Sequence, residues 1–282
     1  MRPVMLLGGH GFIGTALAQR LQGEGHSVHV LGRANPAALM QLLPQCGTVV
    51  HLASSTTPGS SAQQPELERA NLQLTQQLVD TLQTQPDTHL VFFSSGGTVY
   101  GDPTRLPVLE DAPLAPLSPY GATKVAQENL CLALRAQGHA VSILRPSNAY
   151  GPGQALKGGF GLVRTLLEHA REGTELQLWG DGENVRDYIY IDDLVDATLR
   201  LLARPESAAT YNLGSGTGYS VNQVKAMVVQ TTSRPIVTRY VAARRVDVRS
   251  VVLDSQRLQS VLQWQPKTIL AEGIQRAWQA LQ

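Results

Sequence analysis

The chain has 282 residues, only 16% of them charged, and a net charge of +1, which excludes the basic surface of a nucleic-acid binder and a charged membrane-surface face. Two cysteines, Cys46 and Cys131, cannot build a disulfide framework; both sit in apolar stretches, as reduced core thiols do. No apolar run reaches membrane-spanning length and the first strand starts almost at the N-terminus, so the expectation is a cytoplasmic α/β protein without signal peptide or metal site.

Val4 to Leu7 reads as a buried strand. It runs into Gly8-Gly9-His10-Gly11-Phe12-Ile13-Gly14 and then a helix to about Leu21. Glycines at 8, 11 and 14 suit a dinucleotide-binding turn: a tight bend, close approach of backbone to a pyrophosphate, and close packing of helix on strand. The helix N-terminus then faces the phosphates. Ser27 to Leu31 is the second strand. An acidic residue normally ends this strand in NAD-binding folds and bonds the ribose hydroxyls; here Gly32 and Arg33 follow instead. Glycine leaves room for a 2′-phosphate and arginine pairs with one, which favours NADP over NAD.

Ala37 to Leu43 is a short helical pattern, and Thr48 to Ala53 is already the next strand. The interval is too short for a full crossover with its own strand, so one edge strand of the sheet is expected to be missing. Ser54 to Gln64 reads as a loop. Glu66 to Leu82 is a helix with Leu67, Ala70, Leu74, Leu78 and Leu82 on its apolar face. Leu90 to Phe93 is a buried strand ending in Ser94-Ser95-Gly96-Gly97, and Pro103 to Pro119 is a proline-rich loop.

Tyr120 opens a helix to about Arg135, and Lys124 lies one turn on, on the same face. A neighbouring ammonium favours phenolate, so this spacing predicts a tyrosine lowered towards neutrality and able to serve as general acid and base. Strands follow at Val141 to Pro146, Leu176 to Leu178, Arg186 to Ile191, Ala209 to Leu213 and Val237 to Val241. Helices are expected at Leu162 to Glu172, at Leu194 to Leu202 capped by Asp192 and Asp193, from Ser220 through Val229, at Ser255 to Leu262 and at Ile269 to Leu281. The pattern predicts a doubly wound parallel Rossmann sheet in residues 1–150, rejoined by segments near 183–204, with residues 151–282 mainly a small α/β substrate lobe.

The set Gly8-x-x-Gly11-x-x-Gly14, His51-Leu-Ala, Ser94-Ser-Gly-Gly-Thr-Val-Tyr-Gly101, Tyr120-x-x-x-Lys124, Leu144-Arg-Pro-x-Asn148 and Arg186-Asp-Tyr-Ile resembles the extended short-chain dehydrogenases/reductases. More narrowly it is similar to the nucleotide-sugar epimerase and dehydratase branch, and the likeness spans nearly the whole chain. The resemblance implies that Gly8, Gly11, Phe12 and Ile13 meet the pyrophosphate, and that Leu52, Ala53, Ser54 and Pro146 line the cofactor. By the same likeness Asn71 supports the site and Ser94 lies under the nicotinamide. Tyr120 would exchange a proton with a sugar hydroxyl, and Lys124 would tune it and hold the nicotinamide ribose. Asn148, Arg186 and Arg244 would hold the substrate diphosphate, and Trp179 would offer a flat side chain to the base. Homodimers paired through the helices at 66–82 and 120–135 are also implied.

Two departures from the family pattern bear on chemistry. Its relay Ser or Thr, two residues before Thr98, is Gly96 here, so Ser95, Thr98 or a water would have to substitute. The Asp-Glu pair of the 4,6-dehydratases is replaced by Gly97 and Thr98, which argues against elimination of water. The implied activity is 4-epimerisation of a nucleotide sugar. An NADPH-dependent 4-ketoreductase is the alternative, and a non-catalytic cofactor-binding scaffold a third reading.

Overall fold

A computed structural model describes residues 2–32, 36–156, 161–243 and 248–282; Arg33, Arg244 and residues 157–160 lie outside that set. The first half runs β1 (Val4–Leu7), α1 (Phe12–Gly23), β2 (Val28–Leu31), α2 (Pro36–Leu42), β3 (Thr48–His51), α3 (Pro58–Gln63), α4 (Glu68–Leu82), β4 (His89–Phe93), α5 (Pro119–Ala136), β5 (Val141–Pro146) and β6 (Asn148–Tyr150). The second half adds α6 (Leu162–Glu172), β7 (Leu176–Trp179), β8 (Val185–Tyr190), α7 (Ile191–Leu202), β9 (Thr210–Leu213) and β10 (Gly218–Ser220). It ends with α8 (Val221–Thr232), β11 (Thr238–Val241), β12 (Ser250–Val251), α9 (Gln256–Leu262) and α10 (Leu270–Gln279).

Six parallel strands in the order β2-β1-β3-β4-β5-β9 form the central sheet. The strand side chains alternate between two apolar faces, which is what a sheet covered on both sides requires. Met5, Leu7, Leu90, Phe92 and Ile143 pack under α2, α4 and α5 with both cysteines, which are free thiols. Leu6, Val50, Val91, Phe93 and Leu144 pack on the other side under α1 and α7 and continue into the helices of the second half. Among the described residues β2 is the sheet's outer strand on that side, as the short interval before β3 predicts. A second sheet has β8 at its centre, with β6, β10 and β12 as partners, and β7 pairs with β11. Among the described residues no helix is long and apolar enough to cross a membrane.

Three local expectations are corrected. The segment read as a loop contains α3, because Thr57 and Ser60 bond each other's backbone N–H groups in a capping box and Pro58 starts the turn. On α4 the face turned inward is Glu68, Asn71, Thr75, Leu78, Val79 and Leu82; Leu67 and Ala70 are exposed. The first two turns of this helix pack on a polar site rather than on apolar sheet, so hydrophobicity alone misphases them. Asp192 and Asp193 do not cap α7. They lie in its first turn, and buried Asp193 accepts the backbone N–H groups of Lys267 and Thr268 at 3.2 and 2.9 Å, pinning the approach to α10.

Candidate active site

Parallel strands bring the carboxyl ends of β1, β3, β4 and β5 to one edge of the sheet, where α/β folds bind ligands. At that edge Gly8 has φ +88°, and a Cβ there would stand 2.5 Å from the Ala53 nitrogen. Gly8, Leu52 and Ala53 therefore touch, and only glycine allows it. Gly14 does the same for α1, since a Cβ there would fall 2.5 Å from the Gly9 Cα. Gly11 is the N-cap of α1; a Cβ on it would meet nothing closer than the Gly8 carbonyl at 3.4 Å, and no side chain caps the helix. Backbone N–H groups of Phe12 and Ile13 at such an end fit a pyrophosphate. Half-buried Ser54 turns back to the Thr56 carbonyl at 3.0 Å, and Pro146 accepts the Gly96 N–H at 2.9 Å, so both lie on the same edge.

Ser118 caps α5 by accepting the Gly121 N–H, which sets Tyr120 in the first turn. Lys124, 4% exposed, donates to the Phe93 carbonyl at 2.9 Å, and its Nζ lies 5.7 Å from the Tyr120 ring centroid. Tyrosine and lysine thus meet at the end of β4, as their spacing predicts. The electrostatics differ from the expectation. Burial, reinforced by the Glu68 carboxylate, pushes the Tyr120 phenol well above its ordinary value rather than towards neutrality. Burial also lowers Lys124 to about 8, opposed first by Glu68 and then by Cys131 and Glu128. Burial and the Glu68 carboxylate thus both act against the shift that the spacing predicts.

Under the edge lies a polar network. Ser94 donates to Glu128, and Glu128, fully buried, forms a 2.6 Å ion pair with Arg145 of β5. Arg145 also donates to the Tyr100 hydroxyl and the Glu110 carbonyl, both at 2.8 Å, and Tyr100 donates to Asn212 of β9 at 2.6 Å. Ser94 is therefore anchored from below by a carboxylate.

The relay position is closed as well as unoccupied by a hydroxyl. A Cβ on Gly96 would lie 2.5 Å from Leu253 Cδ1 and 2.9 Å from the Arg145 carbonyl oxygen. Gly96 thus provides no room for a sugar. Gly97 does: its Cβ position is 4.0 Å from the Asn148 amide and from nothing nearer. Ser95 and Thr98 are half-buried in the same turn, where Thr98 Oγ1 contacts the Ser95 carbonyl at 3.4 Å.

A Cβ on Gly121 would be 2.8 Å from the Thr98 carbonyl, so the turn carrying Gly97 abuts the start of α5. Asn148 donates to the Asp187 carbonyl at 3.0 Å, which continues the line from Tyr120 through Gly97 to β8. Arg186 follows on β8, with its guanidinium on the carbonyls of Val185 at 2.9 Å and Val248 at 2.5 Å. Trp179 ends β7 on the second lobe, 41% exposed. Asp181 pairs with Arg249 at 3.4 Å. Asp187 is held instead by Ser215, Gly216 and Leu253.

Sequence reasoning missed two buried carboxylates, Glu68 and Glu128. A signal existed for each: Glu128 continues the Tyr120–Lys124 spacing by one more turn, and Glu68 stands three residues before Asn71. Asn71 carries more than expected. Its side chain accepts from the Ser55 N–H and hydroxyl at 2.7 Å each and donates to Thr56 at 3.1 Å and Glu68 at 2.9 Å, tying the loop after β3 to α4.

The sequence model of the NAD dependent epimerase/dehydratase family matches residues 4–214. The chain is 32% identical to a UDP-glucose 4-epimerase of Mycolicibacterium smegmatis, over 96% of this chain and 95% of that one. It superposes with a TM-score of 0.91 on a UDP-glucose 4-epimerase of Thermotoga maritima solved with UDP-glucose, at 28% identity, covering 99% of this chain and 98% of that one. A UDP-glucose 4-epimerase of Thermus thermophilus in complex with NAD gives a TM-score of 0.89 at 27% identity, again covering 99% and 98%.

Proposed function

The chain belongs to the NAD dependent epimerase/dehydratase family, and from that premise we propose that it inverts C4 of a nucleotide sugar, with a UDP-hexose as substrate. The observation that carries the reading is Lys124, locked to the Phe93 carbonyl, beside Tyr120 at the carboxyl edge of the sheet. The glycine turn fits NAD(P): Gly8, Gly11, Phe12 and Ile13 would hold the pyrophosphate, and Leu52, Ala53, Ser54, Ser94 and Pro146 the edge along which it extends. A bound nicotinamide supplies hydride acceptance from C4 and hydride return.

Tyr120 takes the proton from the C4 hydroxyl and gives it back to the C4 oxygen. Burial and Glu68 raise its phenol, and the positive charge of an oxidised nicotinamide, when bound, would favour the phenolate. Lys124 would also hold the nicotinamide ribose, Asn148 and Arg186 would address the diphosphate, and Trp179 would offer its ring to the base. Arg244 joins them by its place in the sequence. The open space at Gly97 beside Asn148 lets the keto-sugar turn over between the two hydride transfers. Ser95 and Thr98, in this turn, carry hydroxyls that would bond the C4 oxygen.

NADPH-dependent 4-ketoreduction is the second reading. Gly32, following the outer strand β2, favours it, because no carboxylate stands there to repel a 2′-phosphate. Purified protein given a UDP-hexose with NAD(P), and in a second assay a 4-keto-sugar nucleotide with NADPH, separates the readings. A C4 epimer without net change in reduced cofactor supports the epimerase; NADPH consumed in proportion to a 4-keto-sugar nucleotide supports the reductase; binding without turnover leaves a scaffold. We also propose a homodimer through α4 and α5, supported by Leu67 and Leu72, 38% and 36% exposed at the start of α4 and on it. A sedimenting mass of one chain contradicts it. Two free buried thiols suit the reducing cytoplasm.

A further inference from the structure

We propose that Glu68 is a positioning residue of this site: the buried counter-charge that keeps Lys124 an ammonium and so keeps the Tyr120–Lys124 pair functional. The inference rests on the role given above to Lys124.

The register of two helices places the carboxylate. α4 and α5 are successive crossover helices on one face of a parallel sheet, so they run in the same direction. Gln127 of α5 donates to the Asn71 carbonyl at 3.2 Å and to Thr75 Oγ1 at 2.6 Å on α4. One turn back along each helix sets Thr123 and Lys124 opposite Glu68. Thr123 is among the groups that lower the Glu68 carboxyl, as that placement requires.

Glu68 is built to stay ionised. It is 6% exposed, its Oε1 accepts the Thr56 hydroxyl at 2.5 Å, and its Oε2 accepts the Asn71 amide at 2.9 Å. Burial pushes the carboxyl up, but these donors outweigh it and hold it below the usual range. A buried carboxylate is costly without a compensating positive charge.

The other groups facing Lys124 do not fill that role. From β3 comes His51, which burial keeps neutral at about 3. From β4 come the Phe92 ring, 5.0 Å from Nζ, and the Phe93 carbonyl. On α5 itself lie Tyr120, Cys131, whose thiol burial pushes up to about 12, and Glu128. Glu128 is already committed, because Arg145 of β5 bonds both of its oxygens at 3.2 Å or less. Glu68 is the remaining carboxylate, and it opposes the burial of Lys124 more than Glu128 does.

The sequence makes a direct test simple, since it has only four lysines. In protein labelled at lysine with carbon-13 and nitrogen-15, the Lys124 signal is assigned by its loss in Lys124→Arg and followed with pH. The wild-type midpoint is expected near 8. Glu68→Gln should lower it by about one pH unit or more, and Glu68→Asp should restore most of the loss. A Glu68→Gln midpoint equal to the wild type overturns the proposal. The reciprocal variant covers a Glu68→Gln chain that fails to fold: Lys124→Met should raise the Glu68 carboxyl midpoint, and an unmoved carboxyl also overturns it. Neither titration needs cofactor or sugar, so failure of this inference is distinct from failure of the proposed reaction. In turnover, the alkaline limb of the Glu68→Gln pH profile should move to lower pH, which a merely structural role would not cause.

Discussion

Restoring the relay hydroxyl by Gly96→Ser should harm this protein rather than improve it. The new Cβ falls 2.5 Å from Leu253 Cδ1, 3.1 Å from Leu253 Cδ2 and 2.9 Å from the Arg145 carbonyl oxygen. Leu253 is 1% exposed and packed among Val99, Tyr100, Val108 and Val251, so its tip has little space to yield. The carbonyl belongs to β5, which is hydrogen-bonded between β4 and β9 and cannot move alone. Overpacking of this kind costs about 1–3 kcal/mol, and a fixed backbone oxygen in the contact argues for the upper half of that range. Urea unfolding should show a lower midpoint with an unchanged slope, and turnover of the nucleotide sugar should not rise. Leu253→Ala alone should cost about 2–5 kcal/mol. The double variant should lose less than the sum, because the deleted side chain is the one that clashes. A Gly96→Ser protein as stable as its parent, or more active, refutes the assignment of this space to Leu253; so does strict additivity.

Other outcomes follow from the same geometry. Glu128→Gln leaves the Arg145 guanidinium buried without its counter-charge, so it should cost about 3–5 kcal/mol in urea or thermal unfolding; a neutral effect would remove the ion pair from the structural account. His51 and His89 are buried and held at about 3 and 4, against an ordinary 6.5. An unfolded chain therefore binds protons that the folded one refuses. Stability should be level above about pH 7.5 and fall below about pH 6.5 by about 1.4 kcal/mol per pH unit for each histidine until its folded value is reached; urea midpoints that match at neutral pH and at about two pH units lower contradict this. Arg33→Ala should weaken NADP binding more than NAD binding in a calorimetric titration, and equal losses would remove the case for NADP.

Much of this architecture can be read from local pattern. Strands apolar on both faces, the glycines at 8, 11 and 14, and the Tyr120–Lys124 spacing mark the sheet and the edge where chemistry is placed. So does the short interval before β3, which leaves β2 outermost. What local pattern does not carry is tertiary electrostatics. Glu68 lies on a helix whose leucines suggest another inward face, and nothing local shows that Thr56 and Asn71 will meet it. The phenol of Tyr120 departs from its expected direction for the same reason: spacing reveals the ammonium beside it, not the burial and the Glu68 carboxylate that raise it. At Gly96 the sequence shows only a missing side chain, not that Leu253, far along the chain, fills the space beside it.

The fate of C4 tests the epimerase reading most directly. Purified protein incubated with a UDP-hexose and NAD(P) should yield the C4 epimer, resolved by proton NMR, with no net change in reduced-nicotinamide absorbance. Tyr120→Phe should slow that conversion by about 10²–10⁴-fold while cofactor affinity holds. Wild-type rates in Tyr120→Phe, or reduced cofactor formed in proportion to a 4-keto-sugar nucleotide, would contradict it.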